Sequence, residues 1–132
     1  MLYLIDTHIL IWALTSPDRL STNIKSLLEQ ESIFISQISF FEITIKQTLG
    51  KFPEFTLSTT ALIAAAEQDG FNLLSIQSNH IDSYPQLPLL PNHRDPFDRL
   101  LLATALSQNM TIISADSNFK LYQPQIRLIS ND

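Results

Sequence analysis

The sequence contains no cysteine, which excludes disulfides, zinc–thiolate sites and thiol catalysis together. It has two glycines, too few to write the dinucleotide-binding or P-loop fingerprints, whose backbones need several glycines to close around phosphate. Its net charge is −5, with 16% charged residues, which argues against a surface that coats nucleic acid through general basicity. A nuclease remains open, because clustered acids can hold metal cations that face phosphates. Long apolar runs are also missing. Met1–Ile5 opens apolar but lacks a basic flank, and Asp6 and His8 interrupt it. Neither a signal peptide nor a membrane span is expected, and the cytoplasm is the expected location. Repeats, linkers and low-complexity tracts are absent too. What is present is 132 residues, 45% of them hydrophobic, enough for one domain over residues 1–132 with a substantial core.

Short apolar runs alternate with helical patterns along the chain. Leu2–Ile5, Ile33–Ser36, Phe71–Ile76 and Thr111–Ser114 read as buried strands, with Arg127–Ile129 a weaker fifth. Helices are expected over Ile9–Leu14, closed by Pro17, and after a Ser21 or Thr22 cap with Ile24, Leu27 and Leu28 as the stripe. Others are expected from Ser39 to a Gly50 stop, over Ser58–Asp69 before Gly70, over Ser78–Tyr84, and over Pro96–Gln108. This alternation predicts an α/β domain with a parallel sheet covered on both faces.

The helix at Pro96 organises the rest. Asp95 suits its N-cap and Pro96 its first position. Phe97, Leu100, Leu101, Leu102, Ala103, Ala105 and Leu106 make it apolar nearly all round, the pattern of a buried helix. Yet it opens on Asp95, Asp98 and Arg99, and charge is seldom buried unless paired or bound to metal. In open parallel sheets, ligands sit outside the carboxyl ends of the strands. Asp6 and Asp116 fall at strand ends, and Asp98 and Glu42 open helices that begin at the same edge.

Each acid also has a structural explanation. Asp98 suits the helix dipole, and Ser39-x-x-Glu42 has the spacing of a capping box. Glu42 and Lys46 make an i,i+4 pair, and Asp116 suits an Asx turn. Asp6, ending a buried strand, has no evident partner. Four such coincidences at one rim are less economical than one shared site. Converging carboxylates raise one another's pKa unless a cation is present. An all-oxygen set suits Mg²⁺ or Mn²⁺, which can activate water and stabilise phosphodiester charge. Lys46, Arg94, Arg99 and Lys120 lie near these acids in sequence and are candidates for holding RNA phosphates. His8 is expected at a helix surface or core edge, His93 in the loop before the organising helix, and His80 on the surface. Trp12 and the phenylalanines sit at core spacing and read as packing.

The acid-bearing segments resemble a known family. Asp6-Thr7-His8-Ile9-Leu10-Ile11-Trp12 is similar to the opening motif of PIN-domain ribonucleases of the VapC toxin type. Ser39–Lys46, running on through Leu49-Gly50-Lys51, resembles their second motif, His93–Leu101 their third, and Ser114-Ala115-Asp116 their fourth. Ser114 stands where a threonine is common, and keeps the hydroxyl. The resemblance implies a three-layer α/β/α PIN-like domain with a central, mostly parallel sheet. It further implies a Mg²⁺-dependent endoribonuclease in which Mn²⁺ can substitute, with Asp6, Glu42, Asp98 and Asp116 as catalytic and metal residues. Thr7, Lys46, Arg99 and Ser114 form the expected substrate-binding set. A homodimer and a cognate antitoxin partner are also implied, with Asp95 a cap rather than a metal ligand.

Two other readings stand beside this one. A phosphoacceptor signalling domain shares the architecture and binds Mg²⁺ at strand ends. It would want paired acids after the first strand and an acceptor Asp mid-chain, whereas Thr7 and His8 follow Asp6 and no Asp ends Phe71–Ile76. A PIN-like fold used only for binding, its acids kept for structure, fits the same residues. Incubation with RNA, with and without Mg²⁺, separates it from the enzyme.

Overall fold

In a computed structural model describing residues 1–53 and 55–131, five strands form one sheet. They are β1 (Leu2–Ile5), β2 (Ser32–Ser36), β3 (Asn72–Leu74), β4 (Thr111–Ser114) and β5 (Leu128–Ser130). Their order is β3-β2-β1-β4-β5, and every pairing is parallel. The sheet is thus wholly parallel among the described residues. Leu4 of the central β1 lies in register with Phe34 on one side and Ile112 on the other, and Leu4 and Ile5 are fully buried.

Because successive strand residues face opposite sides, the two faces collect separate cores. Tyr3, Ile5, Ile33, Ile35 and Ile113 pack with one set of helices: α1 (Thr7–Thr15), α2 (Thr22–Gln30), α3 (Gln37–Thr48) and α4 (Thr59–Gln68). Leu4 and Ile112 pack on the other face with Leu101, Leu102, Phe119 and Tyr122. That face is covered by α5 (Ser78–Ser83), α6 (Pro96–Gln108) and a 3-10 helix over Ser117–Tyr122. Helices on both faces make the three-layer α/β/α arrangement.

The chain steps outward from β1 to β2 to β3, then α5 and α6 carry it back to β4 on the other side of β1. The direction reverses between β1 and β4, where the loops leaving the two strands diverge and open a crevice at their carboxyl ends.

Helix ends follow local chemistry. Ser21, Ser58, Asp6 and Asp95 each accept a first-turn backbone N–H. Gly50 and Gly70 follow α3 and α4 closely at φ +74° and +91°, a region that suits glycine. One N-terminus differs from expectation. α3 starts at Gln37 under a Ser36 cap, so Ser39 lies inside the helix, fully buried, and the Ser39–Glu42 capping box does not form. Glu42 accordingly sits in the second turn. His80, expected on the surface, is buried between α5 and α6. Its Nδ1 accepts the Gln77 N–H at 3.2 Å and its Nε2 faces the Gln108 amide at 2.8 Å.

Candidate active site

Asp6 ends β1 and caps α1, its Oδ1 accepting the Ile9 N–H at 2.8 Å. Its Oδ2 accepts the Ser114 hydroxyl at 2.5 Å and the Ala115 N–H at 3.3 Å. The partner missing from the sequence is therefore the end of β4, across the reversal point. Asp6 is buried, and burial raises its pKa although these hydrogen bonds act the other way.

Glu42 reaches the same crevice from α3. Thr7 Oγ1 lies 2.8 Å from Glu42 Oε1 and 3.0 Å from Ser39 Oγ. A hydroxyl has one proton; the carboxylate can only accept it, which leaves Ser39 to donate to Thr7. Lys46, one turn on, pairs with the other Glu42 oxygen at 3.3 Å. Asp116 follows β4, accepts the Asn118 N–H at 2.9 Å, and donates its own N–H to Ser114 Oγ at 2.9 Å. Asp98 enters from the first turn of α6, where Asp95 caps the helix by accepting the Phe97 and Asp98 N–H groups.

Asp6, Glu42, Asp98 and Asp116 all line one cleft of about 160 Å³, together with Thr7, His8, Lys46 and Asp95. The pKa of Asp98 is pushed up to about 6, first by burial and then by the charges of Asp95, Asp116 and Glu42. Burial is the larger cause, the neighbouring like charges add to it, and the hydrogen bond from His93 acts the other way. Capping and convergence turn out to be compatible, since Asp6 and Asp116 serve local turns with one oxygen while still facing the cleft.

Behind Asp98 runs a buried chain of hydrogen bonds. Arg99 donates to Tyr122 Oη at 3.1 Å. Tyr122 Oη lies 2.7 Å from His93 Nδ1, and His93 Nε2 lies 3.1 Å from Asp98 Oδ2. A guanidinium only donates, so the phenol proton is free to go to Nδ1, and the imidazole proton sits on Nε2 facing the carboxylate. One ligand atom each from His93, Asp98 and Asp116 falls within a 4.8 Å group. His93 is thus more than a loop residue: it is buried, and it fixes Asp98. Its place two residues before the Asp95 cap is the available signal.

Three of the expected substrate contacts are buried, and two of them lie outside the cleft lining. Arg99 is buried, not presented to a substrate. Besides Tyr122 it donates to Tyr84 Oη at 3.1 Å and Pro88 O at 2.9 Å, with its guanidinium 4.8 Å from the Tyr84 ring centre. Thr7 and Ser114 are buried as well, their hydroxyls engaged by Glu42 and Asp6. Thr7 still lines the cleft. Lys46 lines the cleft with the acids and pairs with Glu42, whereas Arg94 and Lys120 are exposed and outside its lining.

The PIN domain family model matches residues 3–123. No match was found among curated proteins. Among solved structures, the chain is similar over its full length, and over all of the other chain, to one in VapBC2 from Rickettsia felis bound to a fragment of promoter DNA (20% identity, TM-score 0.68). It is equally similar in extent to a chain of DNA-bound VapBC from Salmonella typhimurium (18%, 0.67). It also matches a chain of a toxin–antitoxin complex from Klebsiella pneumoniae (18%, 0.67, 98% of each chain).

Proposed function

This chain belongs to the PIN domain family, and from that premise we propose that it is a Mg²⁺-dependent endoribonuclease, the toxin of a type II toxin–antitoxin pair. The observation that carries this reading is the gathering of Asp6, Glu42, Asp98 and Asp116, from four distant segments, around one small cleft with a single lysine among them. Carboxylates, with His93 beside Asp98 and Asp116 and no thiol in the chain, suit a hard divalent cation. The pKa of Asp98 is raised by burial first and by neighbouring carboxylates after it, and a bound cation would offset both by favouring the ionised form. The four acids are the residues that would hold Mg²⁺, or Mn²⁺ in its place.

When bound, the cation supplies a lowered pKa for water and Lewis-acid stabilisation of phosphodiester charge. The protein's own part is positioning. Ser114 and the Ile9 and Ala115 N–H groups lock both oxygens of Asp6, and the imidazole of His93 orients Asp98. Lys46 anchors Glu42 and places a positive charge where a phosphate enters. Preorganised carboxylates of this kind spare the reorganisation that flexible ones would need.

Toxin–antitoxin assembly is the context of the similar structures, and the acidic mouth suits it. A basic partner segment, presenting an arginine that competes with the cation for the carboxylates, would block the cleft. A homodimer is the expected assembly of the free toxin. The test is incubation of the purified protein with total cellular RNA in Mg²⁺, in Mn²⁺ and in excess EDTA, beside the Asp98→Asn variant. Cleavage in either metal, none in EDTA and none by the variant is expected. Undiminished cleavage in EDTA overturns the metal mechanism.

A further inference from the structure

A second cleft lies beside the acidic one and is lined by none of the four acids. It measures about 790 Å³ and is bounded by Trp12, Phe52 and Phe55 as aromatic walls and by Arg19 and Lys51 as cations. No acidic side chain lines it among the described residues. His8 lines both clefts, so the two adjoin at α1. Flat groups follow one another away from the acids: the His8 and Trp12 rings are 5.9 Å apart, and the Arg19 guanidinium lies 4.7 Å from the Trp12 ring centre. Trp12, which the sequence places with the core, packs against it but remains half-buried.

We propose that this second cleft is a subsite for unpaired nucleotides of the RNA strand flanking the cleaved bond. Trp12 and His8 offer the stacking surfaces, and Arg19 and Lys51 meet the phosphates. The inference rests on the ribonuclease reading of the acidic cleft and deepens it. Two features select this occupant. The acidic cleft repels phosphate when metal-free, so a strand needs cations beside it, and the cleft that adjoins it supplies Arg19 and Lys51. Aromatic faces next to those cations are the combination that unpaired bases use, because every base has a π-face whereas a paired base hides its own in the helix. Arg19 is exposed and covers the Trp12 face. A base that displaces it frees the guanidinium for the adjoining phosphate.

Trp12 is the only tryptophan in the chain, so tryptophan fluorescence reports this cleft alone. The full chain is titrated in EDTA with single-stranded oligouridylate and oligoadenylate, and binding of labelled oligomer is followed by anisotropy for the variants. Quenching of the tryptophan by both oligomers is expected. Trp12→Leu should raise Kd about tenfold, with Trp12→Phe restoring most of the affinity. Lys51→Gln should lower the slope of log affinity against log salt by roughly 0.7. In Mg²⁺ the same variants should raise KM with kcat little changed. Melting curves check that Trp12→Leu folds, and the wild-type quenching and exposed Lys51→Gln carry the test if it does not. RNA cleaved normally while tryptophan emission and the variant Kd values stay unchanged overturns the subsite and leaves the ribonuclease reading intact. RNA neither bound nor cleaved in any metal overturns both. Quenching by the neighbouring gene's protein product but never by RNA makes the cleft a protein-docking surface and overturns the proposal.

Discussion

On one side of the acidic cleft, Asp6 and Glu42 take hydrogen bonds from the hydroxyls of Ser114 and Thr7. On the other, Asp98 is held by a buried chain that begins at Arg99 and passes through Tyr122 and His93. Both arrangements orient a carboxylate, but they treat charge differently. On the first side the hydroxyls donate without neutralising, but Lys46 also pairs directly with Glu42 at 3.3 Å. The relay instead keeps the guanidinium two side chains away from Asp98, while delivering a polarised N–H to it. A directly paired arginine would fill the cleft with its own charge. Keeping Arg99 at a distance leaves the acids oriented and still negative, so orientation and charge are supplied by separate residues.

The relay side should be the more fragile. Arg99→Leu leaves Tyr84 Oη, Pro88 O and Tyr122 Oη without their buried donor, a loss of about 3–4 kcal/mol. That corresponds to a melting temperature lower by roughly 12 °C for a chain of this size, measurable by calorimetry. Were Arg99 a substrate contact, the same change would reduce cleavage and leave the melt alone.

Tyr122→Phe is the next sharpest comparison. It cuts the relay in the middle, removing the donor to His93 Nδ1 and one acceptor of Arg99, and should cost about 1–3 kcal/mol. His93 then loses the partner that fixes its tautomer, and Mg²⁺ affinity should fall by about tenfold or more, as when the partner of a ligand's neighbour is lost. Isothermal titration with Mg²⁺ separates this from a purely structural effect.

The hydroxyl side should answer more weakly. Thr7→Val keeps the shape and removes one hydrogen bond to Glu42, whose other oxygen remains paired with Lys46. A loss of about 1 kcal/mol is expected, with Mg²⁺ affinity reduced less than by Tyr122→Phe. An equal or larger effect on affinity would erase the contrast between the two sides.

The two sides of the cleft also differ in how legible they are in the amino-acid sequence. The strands, the Asp95–Pro96 start of α6 and the glycine stops of α3 and α4 are local signals, carried by adjacent residues. The four acids can be gathered from sequence because a parallel sheet brings the ends of its strands to one edge. The relay is hidden because Arg99 meets Tyr84, Pro88 and Tyr122, none of them near enough in sequence to betray the contact. The start of α3 is ambiguous because Ser36 and Ser39 both make good caps, and the buried hydroxyl of Ser39 is spent on Thr7. Trp12 shares its spacing with core residues, yet α1 turns its outer face to the large cleft.

The central claim is that Asp98 stands in a crowd of carboxylates that a divalent cation relieves. Asp98 binds its proton more tightly in the folded chain, at about 6, than at its ordinary 3.8. Metal-free stability should therefore fall as pH rises from about 4 to about 7, and this slope should flatten in Asp98→Asn, whose amide oxygen can still accept from His93. The full shift is about 3 kcal/mol of penalty for the ionised form, of which about 1 kcal/mol should survive solvent screening. The most direct measurement is the melting temperature of wild type and Asp98→Asn at pH 7.5, in EDTA and in Mg²⁺. The variant should melt higher than wild type by roughly 4 °C in EDTA, and Mg²⁺ should then raise wild type far more than the variant. A variant that melts lower in EDTA and gains as much from Mg²⁺ as wild type would contradict the crowd and reduce Asp98 to a helix-end charge.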